Sequence, residues 1–206
     1  PIILHNIPQI LDVKSMRALI ESLGVTIDEV DQHTWRIHAK DIQPGKLDPD
    51  LCRKIRASIL LAGPLTARCG ELHLPPPGGD VIGRRRVDTH ILALEKLGAS
   101  VKYDNRLFNF CSKGLTGADI LLDEASVTAT ENAIMAAVTA KGDSIIRNAA
   151  SEPHIQDLCL FLNHLGAKIE HIGSNTLHIQ GVPKLHGGEF TIGPDYLEVV
   201  SFIGAA

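Results

Sequence analysis

VKSMRALIESLG (residues 13–24), VDTHILALEKLG (87–98) and IQDLCLFLNHLG (155–166) are three versions of one pattern. Each places apolar residues at helical spacing and ends in Leu-Gly, and glycine suits the left-handed position just past a helix C-terminus. Each runs into a short β-like triplet: Val25-Thr26-Ile27, Ala99-Ser100-Val101 and Ala167-Lys168-Ile169. The pattern recurs about 70 residues apart, which marks an internal repeat. A second alternating strand is predicted after each triplet, over 34–39, 106–111 and 176–180. A third follows in two units, over 119–122 and 189–192. A second helix is predicted over 50–69, 126–141 and 195–206. These helices are small and apolar, as in Ala57-Ser58-Ile59-Leu60-Leu61-Ala62-Gly63 and Ala133-Ile134-Met135-Ala136-Ala137-Val138. A helix apolar nearly all round is buried. The expectation is therefore an α+β, pseudo-threefold domain with helices at the centre and sheets outside.

The composition agrees with a packed domain. The chain has 206 residues, 44% hydrophobic and 21% charged, with a formal net charge of -4. Enough apolar surface is available to offset chain entropy, so disorder is excluded as the main state. The longest apolar stretch, near residues 57–67, contains Gly63 and Pro64 and falls far short of the ~20 residues of a membrane span. A slightly acidic chain is a poor general binder of nucleic acid. Cys52, Cys69, Cys111 and Cys159 show neither zinc nor disulfide spacing and read as buried, reduced thiols. The start lacks a Met and the end stops inside an apolar run, as expected of a piece of a longer protein.

Residues 74–90, LPPPGGDVIGRRRVDTH, form the most unusual segment. Its prolines and glycines mark an exposed loop between two helices. Arg84, Arg85 and Arg86 offer forked donors for carboxylate or phosphate, and a solvated basic patch is an equally natural reading. Asp80 lies near these arginines in sequence, where an ordinary ion pair is the plainer reading. Gly78-Gly79 and Gly83 match neither a Walker loop nor a dinucleotide fingerprint. Ser126-Val127-Thr128 open a predicted helix whose free N–H groups suit an anion. Plain capping by Ser126 or Thr128 accounts for the same residues, and Glu131 would complete a capping box with Thr128. His90 shares a helix with Asp88, close to the loop. The other histidines show no metal-ligand spacing, and no metal site is expected.

Several runs resemble, in order, the UDP-N-acetylglucosamine 1-carboxyvinyltransferases, a branch of the enolpyruvyl transferase family. They are RASILLAGPL (56–65), PGGDVIG (77–83), VDTH (87–90) with LEKLGA (94–99), SVTATEN (126–132), NAASEP (148–153) and Pro194-Asp195. Together they cover essentially the whole chain. The resemblance implies an inside-out, barrel-like domain of repeated βαβαββ units. Residues 1–194 would form the first, loop-bearing domain, incomplete at its N-terminus, and 195–206 the start of a crossover into a second domain that is absent here. It implies transfer of enolpyruvyl from phosphoenolpyruvate to the 3′-hydroxyl of UDP-N-acetylglucosamine with phosphate release. That is the first committed step of peptidoglycan synthesis, in the cytoplasm, and this fragment alone would be inactive. No metal or organic cofactor is implied, because positioned acids, bases and cations suffice. The implied partners are those two small molecules, with no nucleic acid and no membrane.

By the same resemblance Asp80 is the catalytic proton donor to C3 of phosphoenolpyruvate, and Arg85 holds that substrate. Arg56, Arg86, Val87, Asp88, Thr89, Ser126, Val127 and Thr128 fall on positions lining the sugar-nucleotide site, where Asp88 would accept from uracil or ribose. The chain also departs from the family. Asp80 stands where most members carry Cys, Arg86 where Pro is usual, Glu124 where some carry Lys, and His154 where an acid is common. Fosfomycin alkylates the family's loop Cys, and a carboxylate is a much poorer nucleophile toward an epoxide, so insensitivity is implied. The departures also admit a relative with a different acceptor. A non-catalytic UDP-sugar binding module is a third reading.

Overall fold

The computed structural model of the chain describes residues 1–79 and 86–206. The first unit runs β1 (Ile2–His5), α1 (Leu11–Ser22), β2 (Thr26–Asp31) and β3 (Thr34–His38). It continues through a 3-10 turn at Pro44–Lys46, α2 (Pro49–Lys54), a 3-10 segment Arg56–Leu61 and α3 (Ala62–Cys69). The second unit runs β4 (Glu71–Leu74), α4 (Asp88–Lys96), β5 (Ser100–Asp104), β6 (Leu107–Cys111), β7 (Asp119–Leu121) and α5 (Val127–Ala137). The third runs β8 (Asp143–Arg147), α6 (Pro153–His164), β9 (Lys168–Glu170), β10 (Thr176–Gln180), β11 (Gly188–Thr191) and α7 (Tyr196–Ala205). α1, α4 and α6 are the three repeated helices. The glycines after them, Gly24, Gly98 and Gly166, have φ of 92°, 94° and 98°. Those are the left-handed conformations that the Leu-Gly endings predict.

Strand pairing repeats in the same way. β2–β3, β5–β6 and β9–β10 are antiparallel hairpins, and β1, β4 and β8 pair antiparallel with the second strand of their own unit. The third strands cross to the next unit. β7 pairs in parallel with β8, and β11 pairs in parallel with β1, from Ile2 against Gly188 to His5 against Thr191. That last pairing returns the third unit to the first and closes a ring of three sheets among the described residues. Beside β4, the 3-10 turn Pro44–Lys46 occupies the place a third strand of the first unit would take.

The helices fill the middle. α5 buries Ala129, Thr130, Asn132, Ala133, Ile134, Ala136 and Ala137 and packs on α3, α4 and α6. The strands turn alternate residues inward, as in β10, where Leu177 and Ile179 are buried. Phe110 of β6 is fully buried in the same core. Each large apolar side chain removed from water contributes about 1.5–3 kcal/mol. The fold is thus α+β and inside-out, with helices central and sheets outside.

Three expectations need correction. The helix expected over 50–69 is broken: Ile55 is extended, at φ -130° and ψ 142°, and a 3-10 segment separates α2 from α3. The Ser58 hydroxyl is placed to donate to the carbonyls of Cys52 at 2.9 Å and Ile55 at 3.0 Å, which also accept from the Gly78 and Ser58 N–H groups at the break. The third of the second helices, α7, buries none of its residues, unlike α5. The four thiols are free, but only Cys52 and Cys159 are buried; Cys69 is half-buried and Cys111 is exposed. No helix among the described residues is long and apolar enough to cross a membrane.

Candidate functional site

The starts of three helical segments meet at one end of the helical centre. Arg56 opens the 3-10 segment, and its Nη2 donates to the Arg86 carbonyl at 2.7 Å. This stitches the segment to the chain entering α4. Arg86 Nε donates to Asp88 Oδ2 at 2.7 Å, and Arg86 Nη2 lies 3.6 Å from Asp123 Oδ2. Thr89 Oγ1 donates to Asp123 Oδ1 at 2.6 Å. Asp123, just past β7, therefore ties α4 to the chain entering α5. Asp88 and Asp123 also line an open cavity of about 540 Å³ with Ile91, Leu92, Glu95 and Lys96.

At the start of α5, Ser126 is the N-cap, its Oγ accepting from the Ala129 N–H at 3.4 Å. Val127 and Thr128 are the first two helical residues, and their N–H groups have no carbonyl within the helix to serve. The helix dipole adds partial positive charge at this point. The expected capping box is absent: Thr128 lies inside the helix, not at the cap. Glu131 instead sits largely buried, and burial pushes its carboxyl up to about 7.

Behind both helix starts runs a buried polar chain. The Gly63 N–H donates to Asn132 Oδ1 at 2.7 Å, and Asn132 Nδ2 donates to the Ile59 carbonyl at 2.9 Å. His90 Nδ1 lies 2.8 Å from Asn132 Nδ2, and His90 Nε2 lies 3.2 Å from Thr128 Oγ1. His90 is only 2% exposed. Burial, and secondarily the Arg56 charge, push its imidazole down to about 4, so it is neutral at pH 7.

The structure thus gathers Arg56, Arg86, Val87, Asp88 and Thr89 around the start of α4, and Ser126, Val127 and Thr128 at the start of α5. Asp80, Arg84 and Arg85 lie outside the described residues. Among the described residues no group of three or more His, Cys, Asp or Glu side chains is assembled to hold a metal ion. Sequence reasoning missed Asp123 and Asn132 and placed His90 only as close to the loop, with no role assigned. An Asn inside the apolar run of residues 129–138 was the available signal, because a buried amide needs partners.

The family model of EPSP synthase (3-phosphoshikimate 1-carboxyvinyltransferase) matches residues 2–206. The UDP-N-acetylglucosamine 1-carboxyvinyltransferase of Treponema denticola is 58% identical over 206 residues, all of this chain and 48% of its own length. That of Bradyrhizobium diazoefficiens is also 58% identical over 206 residues, again 48% of its length. The chain thus spans about half the length of these curated relatives. Among solved structures, the enolpyruvyl transferase NikO from Streptomyces tendae superposes with a TM-score of 0.84 at 22% identity, covering 99% of this chain and 49% of that one. EPSP synthase from Acinetobacter baumannii superposes with a TM-score of 0.74 at 18% identity, covering 98% of this chain and 46% of that one. These two likenesses establish the fold.

Proposed function

The chain belongs to the EPSP synthase (3-phosphoshikimate 1-carboxyvinyltransferase) family, and from that premise we propose that the whole protein transfers enolpyruvyl from phosphoenolpyruvate to the 3′-hydroxyl of UDP-N-acetylglucosamine. The observation that carries the reading is 58% identity, over all 206 residues, to relatives that bear that activity in their names. The product enters peptidoglycan synthesis, and the work is done in the cytoplasm. Residues 1–194 form the first domain and 195–206 lead into a second. The exposed apolar side chains of α7, Leu197, Val200, Phe202 and Ile203, support that division.

The geometry supports a two-helix cradle for the sugar nucleotide. The start of α5 offers N–H groups and the Ser126 and Thr128 hydroxyls to the diphosphate. Asp88 and Asp123 present carboxylate oxygens that accept from uracil or ribose, with Arg86 and Thr89 holding them in place. Arg56 anchors the chain that carries Arg86 and Val87 into the site.

In the reaction, the sugar hydroxyl gives its proton to a general base in the other half of the protein as its oxygen adds to C2 of phosphoenolpyruvate, while Asp80 gives its proton to C3. The tetrahedral intermediate then returns a C3 proton to the Asp80 carboxylate and expels phosphate, which takes the proton held by that base, restoring the double bond on the transferred group. Arg85 holds phosphoenolpyruvate by a forked contact. Asp80 must carry its proton at the moment of transfer to C3.

Phosphate release from phosphoenolpyruvate by the whole protein, with and without UDP-N-acetylglucosamine, tests the reading. Acceptor-dependent release that Asp80→Asn abolishes supports it. Binding of the nucleotide without release overturns it in favour of a binding module, and release driven by a different acceptor overturns the substrate.

A further inference from the structure

The Gly63 N–H can only donate, so the Asn132 amide oxygen must face it, and Asn132 Nδ2 is left with two hydrogens to place. One goes to the Ile59 carbonyl, and the other points at His90 Nδ1, 2.8 Å away. His90 Nδ1 is therefore an acceptor and carries no hydrogen. In a neutral imidazole the hydrogen then sits on Nε2, 3.2 Å from Thr128 Oγ1. The Thr128 oxygen accepts it, and its own hydroxyl hydrogen must go elsewhere. Among the described residues Thr128 has no acceptor for that hydrogen, whereas Thr130 donates its own to the Ser126 carbonyl at 2.8 Å. Thr128 sits in the first turn of α5, beside the unpaired N–H groups.

We infer that His90 is a positioning residue, locked as its Nε2–H tautomer, which commits the Thr128 hydroxyl to donate to the diphosphate of the bound nucleotide. The inference rests on the sugar-nucleotide reading given above. The chain from Gly63 through Asn132 and His90 to Thr128 links the core contact of α3 and α5 to one hydrogen at the ligand. A donor fixed before the ligand arrives loses less entropy on binding than a free rotor.

Two substitutions separate this role from mere support of the core. In His90→Asn the side-chain oxygen takes the place of Nδ1 and still accepts from Asn132, but nothing reaches Thr128. In His90→Gln the side-chain nitrogen takes the place of Nε2 and still donates to Thr128, but the Asn132 contact is lost. Titration of the whole protein with UDP should show His90→Asn and Thr128→Val each weakened about tenfold or more, the size of one hydrogen bond to a charged group. His90→Gln should recover most of the loss, and the double variant His90→Asn/Thr128→Val should lose no more than either alone. Uridine, without a diphosphate, should bind all of them alike. Equal weakening by His90→Asn and His90→Gln, or equal loss toward uridine, overturns the inference. If the unsubstituted protein fails to bind UDP, the sugar-nucleotide reading falls and this inference with it. Nitrogen-15 NMR of the histidine-labelled, unsubstituted protein decides the matter if the variants do not fold. A hydrogen on Nε2 of His90 at pH 7 supports the inference, and one on Nδ1 overturns it.

Discussion

Gly63 and Asn132 hold the two central helices α3 and α5 in contact: the Gly63 N–H donates to Asn132 Oδ1 at 2.7 Å, and a Cβ at 63 would lie 2.5 Å from the Asn132 carbonyl oxygen. Real Cβ atoms do not approach a backbone oxygen so closely, so Gly63→Ala must push the helices apart. We expect a loss of about 1–3 kcal/mol, the usual cost of overpacking a core. Urea denaturation measures it. A variant as stable as the original would mean the helix pair is not held tightly here.

Glu131 and His90 give stability opposite dependences on pH. Burial raises Glu131 from 4.5 to about 7. From pH 4.5 to 7 the folded state then holds a proton that the unfolded state has lost, and stability falls as pH rises. His90 is lowered from 6.5 to about 4, by burial first and the Arg56 charge second. From pH 4 to 6.5 the unfolded state holds the extra proton, so stability rises with pH. Each effect amounts to about 3 kcal/mol across its window, and the two oppose one another where the windows overlap. Glu131→Gln removes the first effect alone. Its stability relative to the original protein should climb by about 3 kcal/mol between pH 4 and pH 8, measured by denaturation. A constant difference would show that Glu131 is ionised in the fold at neutral pH.

Arg86 contacts Asp88 and Asp123 from an exposed position, about half of its side chain open to solvent. Exposed ion pairs contribute little to stability, so Arg86→Ala should leave the unfolding midpoint nearly unchanged. Freed of Arg86, the two carboxylates are less well positioned, and KM for the sugar nucleotide should rise about two- to fivefold with KM for phosphoenolpyruvate unaltered. Steady-state kinetics with each substrate varied in turn checks this. A larger effect on phosphoenolpyruvate would move Arg86 to the other half of the site.

Asp80 carries a carboxylate where most of the family that the sequence resembles carries a thiol. Incubation of the whole protein with fosfomycin should leave its mass and activity unchanged. A covalent adduct on the peptide containing Asp80, found by mass spectrometry, would contradict the proposed insensitivity.

The three Leu-Gly endings were legible because they are local. Helical spacing sets one apolar face, and the left-handed glycine that follows needs no distant partner, so α1, α4 and α6 end where the sequence says. The hairpins were legible for the same reason, with alternation setting the faces and a short turn setting the pairing. The run of residues 50–69 was not. Its composition reads as one helix, but the extended Ile55 reflects the Ser58 hydroxyl meeting two carbonyls and the apolar side chains finding the core. Local propensity does not contain that choice.

By itself the sequence determined the threefold repeat, the repeated helices and hairpins of each unit, the buried character of α5 and, through ordered motifs, the family. Only the tertiary structure decided that β11 lies in parallel beside β1, which closes the ring, and that Asp123, Asn132 and His90 join the starts of α4 and α5. The physical reason is the range of the interactions. Periodicity and turn chemistry act within a few residues, whereas a closing strand pair and a buried hydrogen-bond chain link residues far apart in the chain, and only the packed core fixes which of them meet.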